Sequence, residues 1–171
     1  MIPKPLGEIT WSDILALQES GREEDDTIEY KESLAGGLDY QALSSGQKDK
    51  ARDTIAKEVI AFLNGRGGDI VIGVQEGDND LPKIKAITPL QNVDKTVGSL
   101  ADSLAAIIEP RQAILAIRAI REHNDDTEGV IIIRAPSSLR APHRSTQTKE
   151  DRKSTRLNSS HVSQSRMPSS A

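Results

Sequence analysis

The 171 residues contain 36% hydrophobic side chains but only 2% aromatic ones, which predicts one compact domain with a core of Ile, Leu, Val and Ala. The absence of cysteine excludes a disulfide framework and a Cys-based zinc site. The formal net charge of −4 argues against a polybasic coat, so any binding of nucleic acid must be local.

Targeting signals are missing from the sequence. The first residues lack the apolar run and the small-residue cleavage site of a secretory signal. No segment approaches the roughly 20 apolar residues that a membrane-spanning helix needs. We therefore expect a soluble, cytoplasmic protein with no membrane partner.

The first elements in chain order are a short helix and a strand. Thr10 followed by Asp13 predicts a helix start, and Gly21 predicts its end. Residues 27–32 are rich in β-branched and aromatic side chains and predict an edge or half-exposed strand. Residues 34–46, rich in Gly and Ser, are interpreted as a loop.

The middle of the chain predicts a helix that leads into a buried strand. From about residue 48 to residue 63, apolar side chains recur at three- and four-residue spacing, which indicates an amphipathic helix. The glycine-rich residues 64–68 end it. Residues 69–74 form an apolar run typical of a central strand buried on both faces, followed by a turn at 77–82 and a strand at 83–87.

The remaining pattern predicts a helix and a hairpin. Apolar spacing indicates a helix from Val93 to Ile107, closed by Pro110. Residues 113–120 and 130–135 are then interpreted as two strands joined by a polar turn. The fold class is predicted to be α+β, with helices packed against a mixed sheet of about five strands.

The last residues break this pattern and divide the chain. Residues 151–171 are rich in Ser and Arg without periodic apolar side chains, so we expect them to be disordered, and they look like a translated sequencing adaptor. We therefore predict an N-terminal helical segment (1–22), a domain (23–150) and a non-native tail (151–171). Without the tail, 18 basic residues stand against 25 acidic ones, a net charge of −7.

Three ordered stretches carry a family resemblance. Residues 27–33, 55–68 and 69–74 are similar to the E-F-K-E-S strand, the helix end E-I-x-A-F-x-N-x-x-G-G and the I-G-V strand of the Schlafen AlbA-like domain. A weaker echo of its V-P-x-S and R-P-H stretches lies at 135–138 and 141–144. The family usually adds one more strand carrying an Arg and a Gly, so the domain is expected to be truncated where the tail begins.

The resemblance implies a DNA-binding module of a bacterial-type transcriptional regulator, with DNA or RNA as partner. Five residues are candidates for contacting nucleic acid: Lys31, Arg66, Arg140, His143 and Arg144. For Lys31 the alternative is a surface ion pair with Glu29, which lies on the same predicted strand face. A protein-interaction domain stays open because the chain is acidic, and self-association stays open as well.

A second function implied by the resemblance is a metal-dependent endoribonuclease. Its three carboxylates would be Glu24, Glu29 and Glu76, holding Mg²⁺ or Mn²⁺ that activates water. Glu76 departs from the family's usual Asp, and its longer side chain is expected to shift or abolish the metal site. The alternative is a solvated acidic turn beside an exposed strand residue, and no cofactor is predicted for a binding module.

Three glycines stand in the five residues 64–68, between a helix and a buried strand. Such a segment needs positive φ or close backbone approach, and we expect at least one of Gly67 and Gly68 to have positive φ. It is interpreted either as a tight turn or as a loop whose amides meet a phosphate. It is not a P-loop, since the Gly-Lys-Ser/Thr ending is absent and the order is helix to strand.

Overall fold

A computed structural model describes residues 1–34, 40–77, 83–111 and 115–146. The helices are α1 (Trp11–Glu19), α2 (Ser45–Asn64) and α3 (Val93–Ile107). The strands are β1 (Ile28–Lys31), β2 (Gly67–Ile72), β3 (Val74–Glu76), β4 (Ile84–Ile87), β5 (Ile108–Glu109), β6 (Ala116–Ile120), β7 (Val130–Pro136) and β8 (Arg144–Ser145). No helix in these ranges is long and apolar enough to cross a membrane. The predicted tail 151–171 and most of the predicted turn 77–82 lie outside the described residues.

The strands form one mixed sheet and two small ones, which confirms the α+β class. The main sheet has the order β1-β2-β7-β6, with β1 parallel to β2 and the other pairs antiparallel. Two-stranded sheets form between β3 and β4 and between β5 and β8. The predicted edge strand is β1, and the predicted central strand is β2, which is buried at every position. The predicted hairpin is the β6-β7 pair.

The central strand ends earlier than the sequence predicts. It was expected to run to residue 74, but the chain leaves the main sheet at Gly73, which has φ +104°. The Gly73 N–H donates to the carbonyl oxygen of Lys31 at 2.8 Å, and its own carbonyl accepts from the Thr88 N–H at 2.8 Å. The positive φ turns Val74 into β3, a separate strand paired with β4.

Apolar side chains cover both faces of the main sheet. Because side chains alternate along a strand, Ile70 and Ile72 pack with α2 and α3, while Val71 packs with α1 and the N-terminal segment. The larger cluster contains Ile55, Val59, Leu63, Leu100 and Leu104. The smaller one contains Ile2, Ile9, Ile14, Leu17, Ile28 and Tyr30.

Helix α2 begins three residues before the predicted start. Ser44 and Gln47 form a reciprocal cap: the Ser44 N–H donates to Gln47 Oε1 at 3.0 Å, and the Gln47 N–H donates to Ser44 Oγ at 3.4 Å. Residues 45 and 46, predicted as loop, therefore belong to the helix. The spacing Ser-x-x-Gln is a known start signal that the apolar pattern alone did not reveal.

A buried ion pair fixes the N-terminal segment to the sheet. Asp69, with no solvent exposure, accepts from Arg134 at 2.7 Å (Nε to Oδ1) and 2.8 Å (Nη2 to Oδ2). Asp69 Oδ2 also accepts the Ile2 N–H at 2.7 Å, and Arg134 donates to the carbonyl oxygens of Ile2 and Lys4. Neighbouring strands thus hold a segment that is distant in sequence.

Candidate functional site

The glycine turn, residues 64–68, is shaped by contacts that leave no room for a side chain at Gly67 or Gly68. Gly67 has φ +80°, and a Cβ there would lie 2.7 Å from the backbone nitrogen of Ser137. A Cβ on Gly68 would lie 2.6 Å from the ring of Phe62. The prediction that at least one of the two has positive φ is confirmed, and both positions require glycine.

The segment after β7 is hydrogen-bonded to this turn. The Ser138 N–H donates to the carbonyl of Leu63 at 2.9 Å, and the Ser137 hydroxyl donates to the carbonyl of Gly65 at 2.8 Å. In the sheet register, Gly67 lies opposite Pro136. The end of α2 and the end of β7 therefore form one surface.

His143 and Asn64 join a third segment to that surface. The Asn64 side chain donates to the His143 carbonyl at 3.0 Å and accepts the His143 N–H at 2.6 Å. His143 is 3% exposed, and its Nε2 lies 2.7 Å from Ser138 Oγ. Three segments therefore meet in space: residues 64–68, 135–138 and 141–144. We call them together the glycine-turn site. The sequence motifs that these segments carry meet there as well.

Three of the five predicted nucleic-acid contacts lie on the exterior of this site. Arg66 is exposed and ion-paired with exposed Asp26 at 3.0 Å, and Arg144 pairs with Glu109 at 3.5 Å. Arg140 is exposed and has no ion pair among the described residues. His143 lies beneath this surface and positions it, and Lys31 lies elsewhere, beside acids.

Helix α2 adds a basic stripe that the sequence analysis missed. Exposed positions follow one another at spacings of four and three residues, so they share one side of the helix. The stripe consists of Lys50, Thr54, Lys57, Ala61 and Asn64. Neither lysine has an ion pair in the described parts of the chain, and Asp53 beside the stripe is held by Arg52 at 3.0 Å. The stripe ends at the glycine-turn site.

The second candidate site lies at the edge strand β1. Glu24 Oε1 accepts the N–H of Tyr30 at 2.7 Å, so its carboxylate satisfies a donor on the open side of this edge strand. Burial raises the pKa of Glu24, and the negative charges of Glu29 and Glu76 raise it further, against the lowering effect of the Tyr30 hydrogen bond. The three predicted acids are therefore close enough to influence one another.

Lys31 lies among these acids. Its Nζ is 2.5 Å from Glu29 Oε1, which matches the ion-pair alternative for this lysine. Burial lowers the pKa of Lys31, but the hydrogen bond and charge of Glu29, with the charges of Glu58 and Glu76, outweigh it and leave that pKa raised. Burial also raises the pKa of Glu76. We call Glu24, Glu29, Lys31 and Glu76 the acidic cluster.

The donor set of the acidic cluster suits a hard divalent cation, but its arrangement leaves little room for one. Carboxylate oxygens are the ligands that Mg²⁺ and Mn²⁺ prefer. Across the residues that the structure describes, however, no group of three or more His, Asp or Glu side chains is placed to hold a metal ion. An ion would have to displace Lys31 from Glu29, so the metal assignment stays a prediction.

A family model matches the part of the chain that contains the glycine-turn site. Residues 24–163 match the model described as Schlafen, AlbA_2. The chain belongs to this family. The match begins beside the predicted domain boundary at residue 23 and continues past residue 150 to residue 163. The boundary at 150 and the nature of the tail stay predictions.

A solved structure shares this fold at low sequence identity. The N-terminal domain of an ATP-dependent DNA helicase RecG-related protein from Nitrosomonas europaea superposes with a TM-score of 0.56 at 18% identity, covering 82% of each chain. The DIP2311 protein from Corynebacterium diphtheriae gives a TM-score of 0.44 at 16% identity, covering 78% of this chain and 26% of its own. No curated protein matches the chain. The first likeness shows the fold alone.

Proposed function

We propose that this chain is a nucleic-acid-binding module that binds double-stranded DNA, as part of a bacterial-type transcriptional regulator. The observation that carries the proposal is that the three segments of the glycine-turn site, residues 64–68, 135–138 and 141–144, meet in space. The exposed Arg66, Arg140 and Arg144 belong to the segments that these hydrogen bonds hold together, which supports a shared interface. Guanidinium groups held on such a surface can contact successive phosphates.

The basic stripe of α2 extends this surface. From Lys50 to Lys57, the two basic residues of the stripe, the helix advances seven residues, which at about 1.5 Å per residue is roughly 10 Å. That length corresponds to about three phosphate steps along one strand of DNA. Since the chain as a whole is acidic, such a strip directs a polyanion to one side of the molecule.

Two further observations support the proposal. Aromatic residues make up only 2% of the sequence, which disfavours a single-strand binder that works by stacking bases. The structural neighbour from Nitrosomonas europaea carries a name that refers to a DNA helicase, which supports a role near DNA without assigning one to this chain.

The test is salt-dependent binding to a short labelled DNA duplex, measured by fluorescence anisotropy. We expect Arg66→Ala and Arg140→Ala each to weaken binding and to reduce the slope of log affinity against log salt by about one. The matched control is Lys95→Ala, because Lys95 lies on α3 near Arg121 and Asp94, toward the opposite end of β7. Equal losses in all three variants would contradict an interface at the glycine-turn site.

The acidic cluster favours a second candidate, a metal-dependent endoribonuclease. Burial raises the pKa values of Glu24 and Glu76, and the negative charge of Glu29 raises both further; a divalent cation would relieve this repulsion between carboxylates. In this function Glu24, Glu29 and Glu76 would hold Mg²⁺ or Mn²⁺, and the metal would activate water for attack on a phosphate.

Calorimetric titration of Mn²⁺ and Mg²⁺ separates the two candidates. If the cluster binds metal, Glu29→Gln should weaken binding and cleavage of a structured RNA together, whereas Glu19→Gln, an exposed acid on α1, should change neither. Absence of metal binding in the unmodified chain would exclude the nuclease. A chain that binds neither metal, DNA nor RNA would leave the third hypothesis, a protein-interaction domain consistent with its acidic charge.

A further inference from the structure

The loop that follows β7 presents an apolar side chain to water. Leu139 is fully exposed, and among the described residues the only other large exposed hydrophobic side chain is Leu15, at 39%. Arg140 follows Leu139, is exposed, and has no ion pair within the described ranges. An apolar group and an unpaired cation therefore stand together at the tip of this loop.

The loop is held in place by the glycine-turn site. The Ser138 N–H is bonded to Leu63, and Ser138 Oγ accepts the Arg140 N–H at 3.1 Å and contacts His143 Nε2 at 2.7 Å. The Ala141 N–H donates to the Ser138 carbonyl at 3.4 Å. Hydrogen bonds thus hold both sides of the tip that presents Leu139.

We propose that Leu139 is a wedge that enters the minor groove of duplex DNA and partly unstacks one base step, while Arg140 contacts the groove beside it. This inference rests on the proposed function and specifies how the same site recognises its ligand. Leucine is one of the side chains that open base steps from the minor groove, and arginine is attracted by the groove's negative potential. The predicted ligand is a duplex with a flexible pyrimidine–purine step.

The surroundings of the tip match this ligand better than a protein partner. A stable protein interface buries about 800 Å² on each side around an apolar centre. Around Leu139, however, the exposed residues of the loop are Ser137, Arg140, Ala141 and Pro142, and none of these is a large apolar side chain. A single large apolar side chain beside a cation is suited to an anionic groove, where the wedge needs only one base step.

The experiment uses the full chain and duplexes that carry 2-aminopurine next to a central TA step or next to a GC-rich step. We expect binding to raise 2-aminopurine fluorescence at the TA step, because unstacking relieves its quenching. Leu139→Ala should abolish that rise and weaken binding to the TA duplex roughly tenfold, with the salt slope unchanged. Leu139→Met should retain both signals, and Leu15→Ala is the matched control for loss of an exposed leucine.

Three outcomes separate this inference from the proposed function. If Leu139→Ala binds and unstacks like the unmodified chain while Arg140→Ala loses affinity, the wedge is wrong and the DNA-binding function stands. If fluorescence does not rise with the unmodified chain although it binds, the wedge is likewise wrong. If the unmodified chain shows no salt-dependent binding to either duplex, the proposed function fails and the wedge fails with it.

Discussion

The glycine-turn site lies where β2 begins and β7 ends, the acidic cluster lies at β1 and β3, and the two are built on different principles. In the glycine-turn site, backbone groups and the side chains of Asn64 and Ser138 satisfy one another, and both Gly67 and Gly68 are sterically required. In the acidic cluster, the contacts that the described residues offer the three carboxylates are one lysine, Lys31, and one backbone N–H, that of Tyr30.

The shape of the glycine-turn site is therefore fixed by packing, whereas the charge of the acidic cluster changes with pH and with bound cations. Substitutions in the glycine-turn site should change the free energy of unfolding strongly and with little dependence on pH. Substitutions in the acidic cluster should have small effects that depend on pH and on divalent cations. A ligand-binding surface needs the first property, and a metal site needs the second.

The largest effect is expected where β2 leaves the glycine turn. Arg134→Met removes the ion-pair partner of Asp69, which has no solvent exposure. The substitution leaves the buried charge of Asp69 without a cation beside the N-terminal segment. We expect a loss of about 3–5 kcal/mol in the free energy of unfolding, measured by urea denaturation. The double variant Arg134→Met with Asp69→Leu should recover part of the loss. A single-variant loss below about 1 kcal/mol would show that the pair is not buried as described.

The second effect tests the shape of the turn itself. Gly68→Ala places a Cβ against the ring of Phe62, and Gly67→Ala adds strain at φ +80° together with a clash at Ser137. We expect each to cost about 1–3 kcal/mol. Gly98→Ala is the control, since its Cβ would meet nothing within 4 Å in the interior of α3, and it should stabilise the chain by about 0.5–1 kcal/mol. Unchanged midpoints for Gly67→Ala and Gly68→Ala would mean that the turn is not sterically constrained.

A region can be predicted from the sequence when the interactions that shape it join residues close together along the chain. The glycine turn and the alternation along β1 could be predicted because glycine spacing and apolar period act between near neighbours. The cap formed by Ser44 could have been predicted for the same reason, because it joins residues only three positions apart. By contrast, the burial of His143 and the pairing of Asp69 with Arg134 join residues far apart along the chain, so no local pattern indicates them.

The acidic cluster illustrates the limit for functional residues. Matching the family pattern selects Glu24, Glu29 and Glu76, but whether they bind a cation depends on where Lys31 points. In the structure Lys31 pairs with Glu29. The strand face shared by these two residues was predictable from period-two alternation, whereas the ion pair depends on side-chain rotamers and on burial.

A third, smaller effect concerns Tyr30, where the family pattern has Phe. Its ring is fully buried, its hydroxyl has no hydrogen-bond partner among the described residues, and burial raises its pKa to about 12. Tyr30→Phe should therefore raise stability by up to about 1 kcal/mol, seen as a higher melting temperature. Tyr40→Phe is the comparison, because the Tyr40 hydroxyl is not both buried and unpartnered. Destabilisation by Tyr30→Phe would show that this hydroxyl has a partner in solution.

The smallest effect is the most specific to the acidic cluster. Lys31→Met removes the positive charge that lowers the pKa of both Glu24 and Glu76. Because burial already holds these two pKa values above those of the unfolded chain, the folded state gains stability as the pH falls through the folded pKa. Without Lys31 that gain should be larger and should begin at higher pH. We expect a loss of a few tenths of a kcal/mol in the free energy of unfolding at pH 7, recovered toward pH 4, in denaturation series run across that range.

Millimolar Mn²⁺ at pH 7 should restore the lost stability only if the three carboxylates can close around a cation. An identical pH profile for the variant and the unmodified chain would show that Lys31 does not control these carboxyls, and the acidic cluster would then be three independent surface acids.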